Sequence, residues 1–536
     1  MDVFDFIVVG AGAAGCVLAE RLSADGRTTV LVLEAGGDDR RFWIKTPIGY
    51  GQSFFDPKVN WLYRSEPQSN LNGRSAHLPR GKVVGGSTSI NAMVYCRGLA
   101  TDFDDWRDAG NPGWGWSDVE PIFQAFERRV GKGEVRGDGP LWVSDRQADY
   151  HPIKRYFFDA AEELGYACIR DLNSGVGEGV APYEITTRSG FRWSSADAFL
   201  RPALRRSGVK LITDVVVDKI GITAGRAETV TYQRGNDKLQ ARANRAILLA
   251  AGAVGSPAIL QRSGLGPAAL LKGLGLEVQR PMTGVGARLQ DHLGMSYFYR
   301  ARQATLNADL GTWRGRLLAG ARYLLTRGGP LSLSVNQIGG LVRTAAELDR
   351  PDAQLYFNPL SYSTEVAGKR ELLKPDPWPG FITGFNSCRP TSLGRIEICA
   401  PDPQTPPRID PNYLDTAKDQ EDAVACARLM GRLQNTEALQ ALILAPLGFD
   451  PGSASDDALL DDVRARSGTV HHLCGTCAMK PEAEGGVVDP SLRVYGVEGL
   501  RVVDASIFPN ITSANTQAPT LMVAYKAAHL ILQSSR

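Results

Sequence analysis

The chain is poor in histidine, with six in 536 residues. Side chains that titrate near neutral pH are therefore confined to His77, His151, His292, His471, His472 and His529. Cysteine is also sparse, at eight, with no dense framework. That excludes a disulfide-stapled scaffold and is read as reduced thiols in a cytoplasmic protein. Net charge is nearly absent: 60 Lys and Arg face 58 Asp and Glu, leaving +2. Such a balance points away from a nucleic-acid partner. Long apolar runs are missing. The most apolar stretch, Ala246 to Leu260, is broken by Gly252, Gly255, Ser256 and Pro257. It falls short of the ~20 residues that a bilayer span needs. No basic leader precedes Phe4-Asp5-Phe6-Ile7-Val8-Val9, so no signal peptide is expected. These absences concern spanning segments and leave peripheral contact with a membrane open. Internal repeats, heptads and low-complexity tracts are missing too.

Glycine is plentiful, at 58 residues. It fits many turns and places where backbone approaches something closely. The first segment reads clearly. Phe4 to Val9 is an apolar strand, Gly10 to Gly15 a turn, Cys16 to Ala24 a helix with Gly26 as stop, and Val30 to Leu33 a second strand ending at Glu34. That is a βαβ start. Farther on, Asp159–Leu164 reads as helix, and Val209–Asp218, Ala246–Ala251 and Leu500–Asp504 as strands. Residues 131–140, 363–380 and 401–412 read as loops. From Pro519 to about Gln533, Leu521, Tyr525, Ala528 and Leu532 mark one apolar helix face.

The turn Gly10-x-Gly12-x-x-Gly15 lies between strand and helix, the context a dinucleotide site requires. Gly10 permits the tight turn, Gly12 lets pyrophosphate approach, and Gly15 lets helix pack on strand. Free N–H groups at the helix start, including those of Ala13 and Ala14, then face the anion. Glu34 follows Gly15 at the end of the second strand. Its carboxylate can accept from ribose hydroxyls and would repel a 2′-phosphate, so FAD or NAD fits better than NADP. The motif alone does not separate those two.

Two longer segments do. Gly81-Lys82-Val83-Val84-Gly85-Gly86-Ser87-Thr88-Ser89-Ile90-Asn91 lets backbone lie against a flat ring system, and residues 252–266 run Gly-Ala-Val-Gly-Ser-Pro-Ala-Ile-Leu-Gln-Arg-Ser-Gly-Leu-Gly. With 286–292, 503–506 and the segments around His472 and Asn515, these resemble the signatures of the glucose–methanol–choline (GMC) oxidoreductases. The resemblance covers essentially the whole chain. It implies an α/β fold: a Rossmann-like FAD-binding domain plus a substrate domain with an antiparallel sheet and helices. The expected division is discontinuous, with 1–155, 190–295 and 460–536 binding FAD and 156–189 and 296–459 binding substrate. Implied FAD contacts are Gly10, Gly12, Ala13, Ala14, Gly15, Glu34, Ala35, Gly85, Gly86, Ser87, Asn91, Ala92, Met93, Val94, Val216, Ala251, Gly252, Asp504, Ala505, Asn515 and Thr516. Some relatives attach FAD through a histidine just before the Asn of the first segment. Here Ile90 occupies that place, which implies non-covalent FAD.

Alcohol oxidation needs a base for the hydroxyl proton while hydride leaves for flavin N5. The run His471-His472-Leu473-Cys474-Gly475-Thr476-Cys477 holds the candidate. In the family the base lies three residues before Gly-Thr, which maps to His472 and leaves His471 a supporting place. The partner position is Asn515, whose amide can orient a substrate oxygen but cannot act as base; a cap on the last helix is its plainer role. Cys474 and Cys477 form a C-x-x-C, but no second one exists, so no metal is expected. Leu473, Arg288, Ala478 and Lys480 depart from the common pattern and weaken any analogy of substrate. A choline-like cation would need an aromatic cage or a carboxylate, and the sequence points to neither; Trp43, Trp61, Tyr63 and Tyr95 are candidates only, with core packing their plainer role. The expectation is FAD-dependent oxidation of a primary alcohol to an aldehyde, with oxygen, a quinone or another electron acceptor. A lyase or photodecarboxylase on the same scaffold, or a non-catalytic flavin protein, are the alternatives; retention of His472 argues against the photodecarboxylase.

Overall fold

The computed structural model describes residues 1–131, 133–175, 177–362 and 374–533. The strand Asp2–Val9 pairs in parallel with Val30–Leu33 on one side and Asp237–Leu249 on the other. Val209–Ile212 adds beyond Val30–Leu33, and Leu500–Val502 pairs with Ile247–Leu249. Val30 to Leu33 are all buried, as a parallel strand covered on both faces must be. Antiparallel strands Arg226–Arg234 and Val216–Thr223 extend this sheet. The helices Ala13–Leu22 and Gln517–Gln533 cover it, with the Arg21 guanidinium 4.7 Å from the Tyr525 ring centre.

A second seven-stranded sheet runs in the order Ile443–Leu447, Leu293–Ala301, Gly380–Ser387, Ala353–Asn358, Ile338–Val342 and Gly179–Pro182. Every pairing is antiparallel, and Gly468–Thr469 joins at Leu293. Leu293–Ala301 runs across residue 295, and Gly468–Thr469 pairs with its start. Alternation with period two splits the faces. Leu355, Phe357 and Phe381 enter a core with the helix Ala417–Gln434, whereas Tyr356, Asn358, Ile382 and Gly384 face a cavity between the sheets.

The structure differs from the sequence reading in places. The single strand expected over Val209–Asp218 is two strands at opposite edges of the first sheet. Asp214, in the left-handed region at φ 58°, lies at the break. A β-rich run conceals such a break because a left-handed Asp leaves no mark on hydropathy. The expected loop 131–140 holds a strand, Glu134–Arg136, folded back on Glu127–Gly131; Lys132 lies outside the described residues. In 401–412, Arg408–Asp410 pairs with Glu397–Arg395. Of the expected loop 363–380, residues 363–373 lie outside the described residues, and a strand starts at Gly380. The first helix spans Ala13–Leu22 rather than Cys16–Ala24, starting directly from Gly12. The helix expected at Asp159–Leu164 is longer, Lys154–Glu163.

Candidate active site

The cavity between the sheets has a volume of about 580 Å³. Gly10, Gly12, Ala13, Ala14, Glu34, Ala35, Gly86, Ser87, Asn91, Ala92, Met93, Val94, Val216, Ala251, Gly252, Asp504, Ala505, Asn515 and Thr516 all line it. Of the expected contacts only Gly15 and Gly85 do not. Gly15 stands behind the wall, where a Cβ would lie 1.8 Å from the Gly10 carbonyl oxygen. Its lack of a side chain is what lets the helix close on the turn. A Cβ on Gly86 would lie 2.7 Å from the Gly12 Cα, so the turn and the 81–91 segment pack backbone against backbone.

This wall fits FAD. The helix Ala13–Leu22 starts at Gly12 with no side-chain cap, which leaves first-turn N–H groups for an anion. The Glu34 carboxylate accepts from Ala11 N at 2.8 Å and Gly36 N at 2.9 Å. Each oxygen keeps a further lone pair for a ribose hydroxyl. Burial raises its pKa to about 7, against the pull of those two amides. Buried donors without a partner among the described residues also line the cavity: Nε and Nη2 of Arg80 and Nε2 of Gln517. A long ligand with phosphates and a polar-edged ring would satisfy such groups.

His472 is held from both ends. Its backbone N donates to Asp291 Oδ1 at 2.6 Å, and the buried Asp291 also accepts from Tyr413 Oη at 2.6 Å and from Thr469 Oγ1. His471 sits in the left-handed region at φ 73°, the bend that turns the next side chain toward the cavity. The imidazole Nδ1 meets His292 Nδ1 at 2.8 Å, and Nε2 meets Asn515 Nδ2 at 3.0 Å. The proton positions follow from the partners. His292 Nε2 faces the Cys388 carbonyl at 2.9 Å, which can only accept, so that nitrogen carries hydrogen. Burial lowers His292 to about 4, so the ring is neutral and its Nδ1 is bare. The His472 Nδ1 therefore donates to it. Burial, and then the neighbouring His292, His471 and Arg80, hold His472 well below its ordinary pKa. Being neutral, it presents a bare Nε2 beside Asn515. Two histidines and one carbonyl thus set the tautomer that a base needs.

Asn515 is oriented in turn. Its Oδ1 accepts from Gln354 Nε2 at 3.2 Å, and Gln354 Oε1 accepts from Tyr356 Oη at 2.9 Å. The side chain thus turns toward His472 on one side and the roof on the other. His292, Asp291, Gln354, Tyr356, Asn336, Asn358 and Arg80 were given no role by the sequence reading. His292 stands 180 residues from His472 and only the fold joins them. Of the possible cage residues, Tyr95 is fully buried and Trp43 is 40% exposed at the surface. Trp61 and Tyr63 stack 5.7 Å apart and line the cavity, with Lys82 4.8 Å from the Trp61 ring centre. Cys474 and Cys477 are buried in the first core, where burial raises both thiols well above their ordinary range.

Comparisons with known proteins converge. Residues 4–294 and 390–524 match the N- and C-terminal family models described as GMC oxidoreductase. The chain is 38% identical to the oxygen-dependent choline dehydrogenase of Rhizobium etli, over 98% of this chain and 95% of that one. It is 37% identical to an alcohol dehydrogenase (acceptor) of Pseudomonas putida, over 99% and 96%. Among solved structures it resembles pyridoxine 4-oxidase from Mesorbium loti, at a TM-score of 0.86 and 29% identity over 98% of both chains.

Proposed function

The chain belongs to the GMC oxidoreductases, a family of FAD-dependent enzymes, and from that membership we propose that it oxidises a neutral primary alcohol to the aldehyde with His472 as general base. The carrying observation is the bare Nε2 of His472 facing Asn515 in the cavity. FAD, when bound, supplies the two-electron acceptor for the hydride that leaves the alcohol carbon. The alcohol hydroxyl takes the place of Asn515 as donor to His472 Nε2. The Asn515 amide then donates to the alcohol oxygen and holds it. His472 takes the proton at Nε2 while its Nδ1–H stays on His292. The helix Gln517–Gln533 begins beside Asn515 and Thr516, and its positive end favours negative charge at that end of the cavity. Ile90, buried on the cavity wall, offers no nucleophile, which supports FAD held without a covalent bond.

A neutral alcohol is favoured over a cationic one. Among the described residues the only carboxylates lining the cavity are Glu34 and Asp504. Glu34 is bonded to the nucleotide turn, and Asp504 accepts from Gly252 N at 2.8 Å, Ser506 N at 2.8 Å and Ser256. The roof residues Tyr356, Tyr362, Phe385, Met295 and Ile382 include no carboxylate to balance a fixed positive charge. Anaerobic bleaching of the bound flavin by a panel of alcohols tests the proposal. Neutral aromatic or aliphatic primary alcohols should bleach it faster than choline, and no bleaching by any alcohol would refute the function.

The depressed His472 pKa adds a pH expectation. The base-competent form is complete above pH 6.5 and is lost only as pH falls through the lowered value. The flavin reduction rate should therefore show no acid limb from this group between about pH 6.5 and 8. Stopped-flow reduction across that range checks it; a tenfold drop from pH 8 to 6.5 would contradict a neutral His472.

A further inference from the structure

The helix Trp313–Thr326 is apolar on its outer face. Only Ala319 and Tyr323 of its residues are buried. Trp313 is 71% exposed, Leu317 65%, Leu318 69%, Leu324 59% and Leu325 84%. At roughly 100° per residue these five fall within an arc of about 140° opposite Ala319 and Tyr323. A helix at a water surface shows the reverse.

Its charges are one-sided. From Leu310 to Arg327 the chain has Arg314, Arg316, Arg322 and Arg327, and no Asp or Glu. Arg314 lies 5.3 Å from the Trp313 ring centre, and Arg327 4.9 Å from that of Phe191. Arg316 Nε donates to the Leu310 carbonyl at 2.6 Å. The patch extends beyond the helix. Tyr323 Oη donates to Gly190 O at 3.1 Å, beside Phe191, which is 37% exposed. Arg192 Nε donates to Ile44 O at 2.9 Å, on the short helix that exposes Phe42 at 53% and Trp43 at 40%.

We propose that this face seats on the surface of a bilayer that carries anionic lipid, with the helix axis in the membrane plane. Fourteen residues make about 21 Å of helix, too short to span. Trp and Leu pointing outward among arginines are what an interfacial helix needs. A second copy of the chain fits less well, because two-fold pairing would set the same arginines against each other with no acid from this stretch between them. Ala319 shares a core cluster with Tyr50 and Val335, both of which line the cavity. The anchor therefore holds the cavity close to the lipid, where a poorly water-soluble alcohol concentrates.

The test uses the FAD-loaded full chain with sedimenting vesicles of phosphatidylcholine, alone or mixed with phosphatidylglycerol. The protein should sediment with the mixed vesicles, less with phosphatidylcholine, and less at high salt. Leu317→Gln with Leu325→Gln should weaken partitioning by about tenfold or more. Arg314→Gln with Arg316→Gln should remove the preference for the anionic lipid. Both variants should keep their flavin and their turnover of a water-soluble alcohol, because neither pair touches the cavity. No sedimentation with mixed vesicles, or unchanged partitioning of the leucine variant, would overturn the proposal. So would a dimer in light scattering that the leucine variant splits.

Discussion

His472→Ala is expected to bind FAD and leave it oxidised when alcohol is added. Removing a positioned base costs about 10²- to 10⁴-fold in the chemical step, and neither side chain bonded to its ring presents a basic atom where its Nε2 stood. Asn515 has no basic atom, and His292 points its protonated nitrogen at Cys388. Flavin content should be unchanged, since among the described residues the imidazole bonds His292 and Asn515 alone. Anaerobic stopped flow under a substrate that bleaches the parent enzyme is the measurement. Reduction within tenfold of the parent would remove His472 from the mechanism. Asn515→Ala should cost less, because it removes orientation and leaves the base.

Gly15→Ala is expected to abolish FAD retention, although helix propensity alone argues the opposite. Within a helix Ala is better than Gly by about 1 kcal/mol. The added Cβ would lie 1.8 Å from the Gly10 carbonyl oxygen, however, and both are backbone-fixed atoms that no rotamer change can separate. The helix has to move off the turn, and the N–H groups at its start move with it. Flavin absorbance per polypeptide after purification should fall at least tenfold. Gly320→Ala is the control: it too is in a helix, but a Cβ there meets nothing within 4 Å. It should leave flavin content as it was. Full flavin content in Gly15→Ala would show that the turn does not hold the nucleotide as described.

The legible part of this protein was what is local in sequence. The Gly10–Gly15 turn, its flanking strands and the last helix each occupy one short window with one period. Gly86, Ser87, Asn91, Ala92, Met93, Val94, Ala251 and Gly252 line the cavity where the family resemblance put FAD. What stayed hidden depends on distant pairing. His292 reads as an ordinary histidine until it meets His472 across 180 residues. The Asn515–Gln354–Tyr356 path joins a loop to a sheet 161 residues away. The break at Asp214 is hidden because strand-forming residues flank it on both sides. The outward leucines of Trp313–Thr326 are hidden too, because periodicity reports an apolar face without saying which side of the helix is buried.

The first sheet takes its strands from both ends of the chain. Leu500–Val502 pairs with Ile247–Leu249, the next residue closes on Leu249 at 2.7 Å, and Arg21 rests on Tyr525. A ribosome that has made the nucleotide turn has therefore not yet made the strand and helix that finish its wall. Flavin loading must wait until Leu500–Val502 and Gln517–Gln533 are made. A chain stopped before Leu500 would lack Leu500–Val502, Asn515 and the helix Gln517–Gln533 together, and would be an apo chain with an open sheet edge.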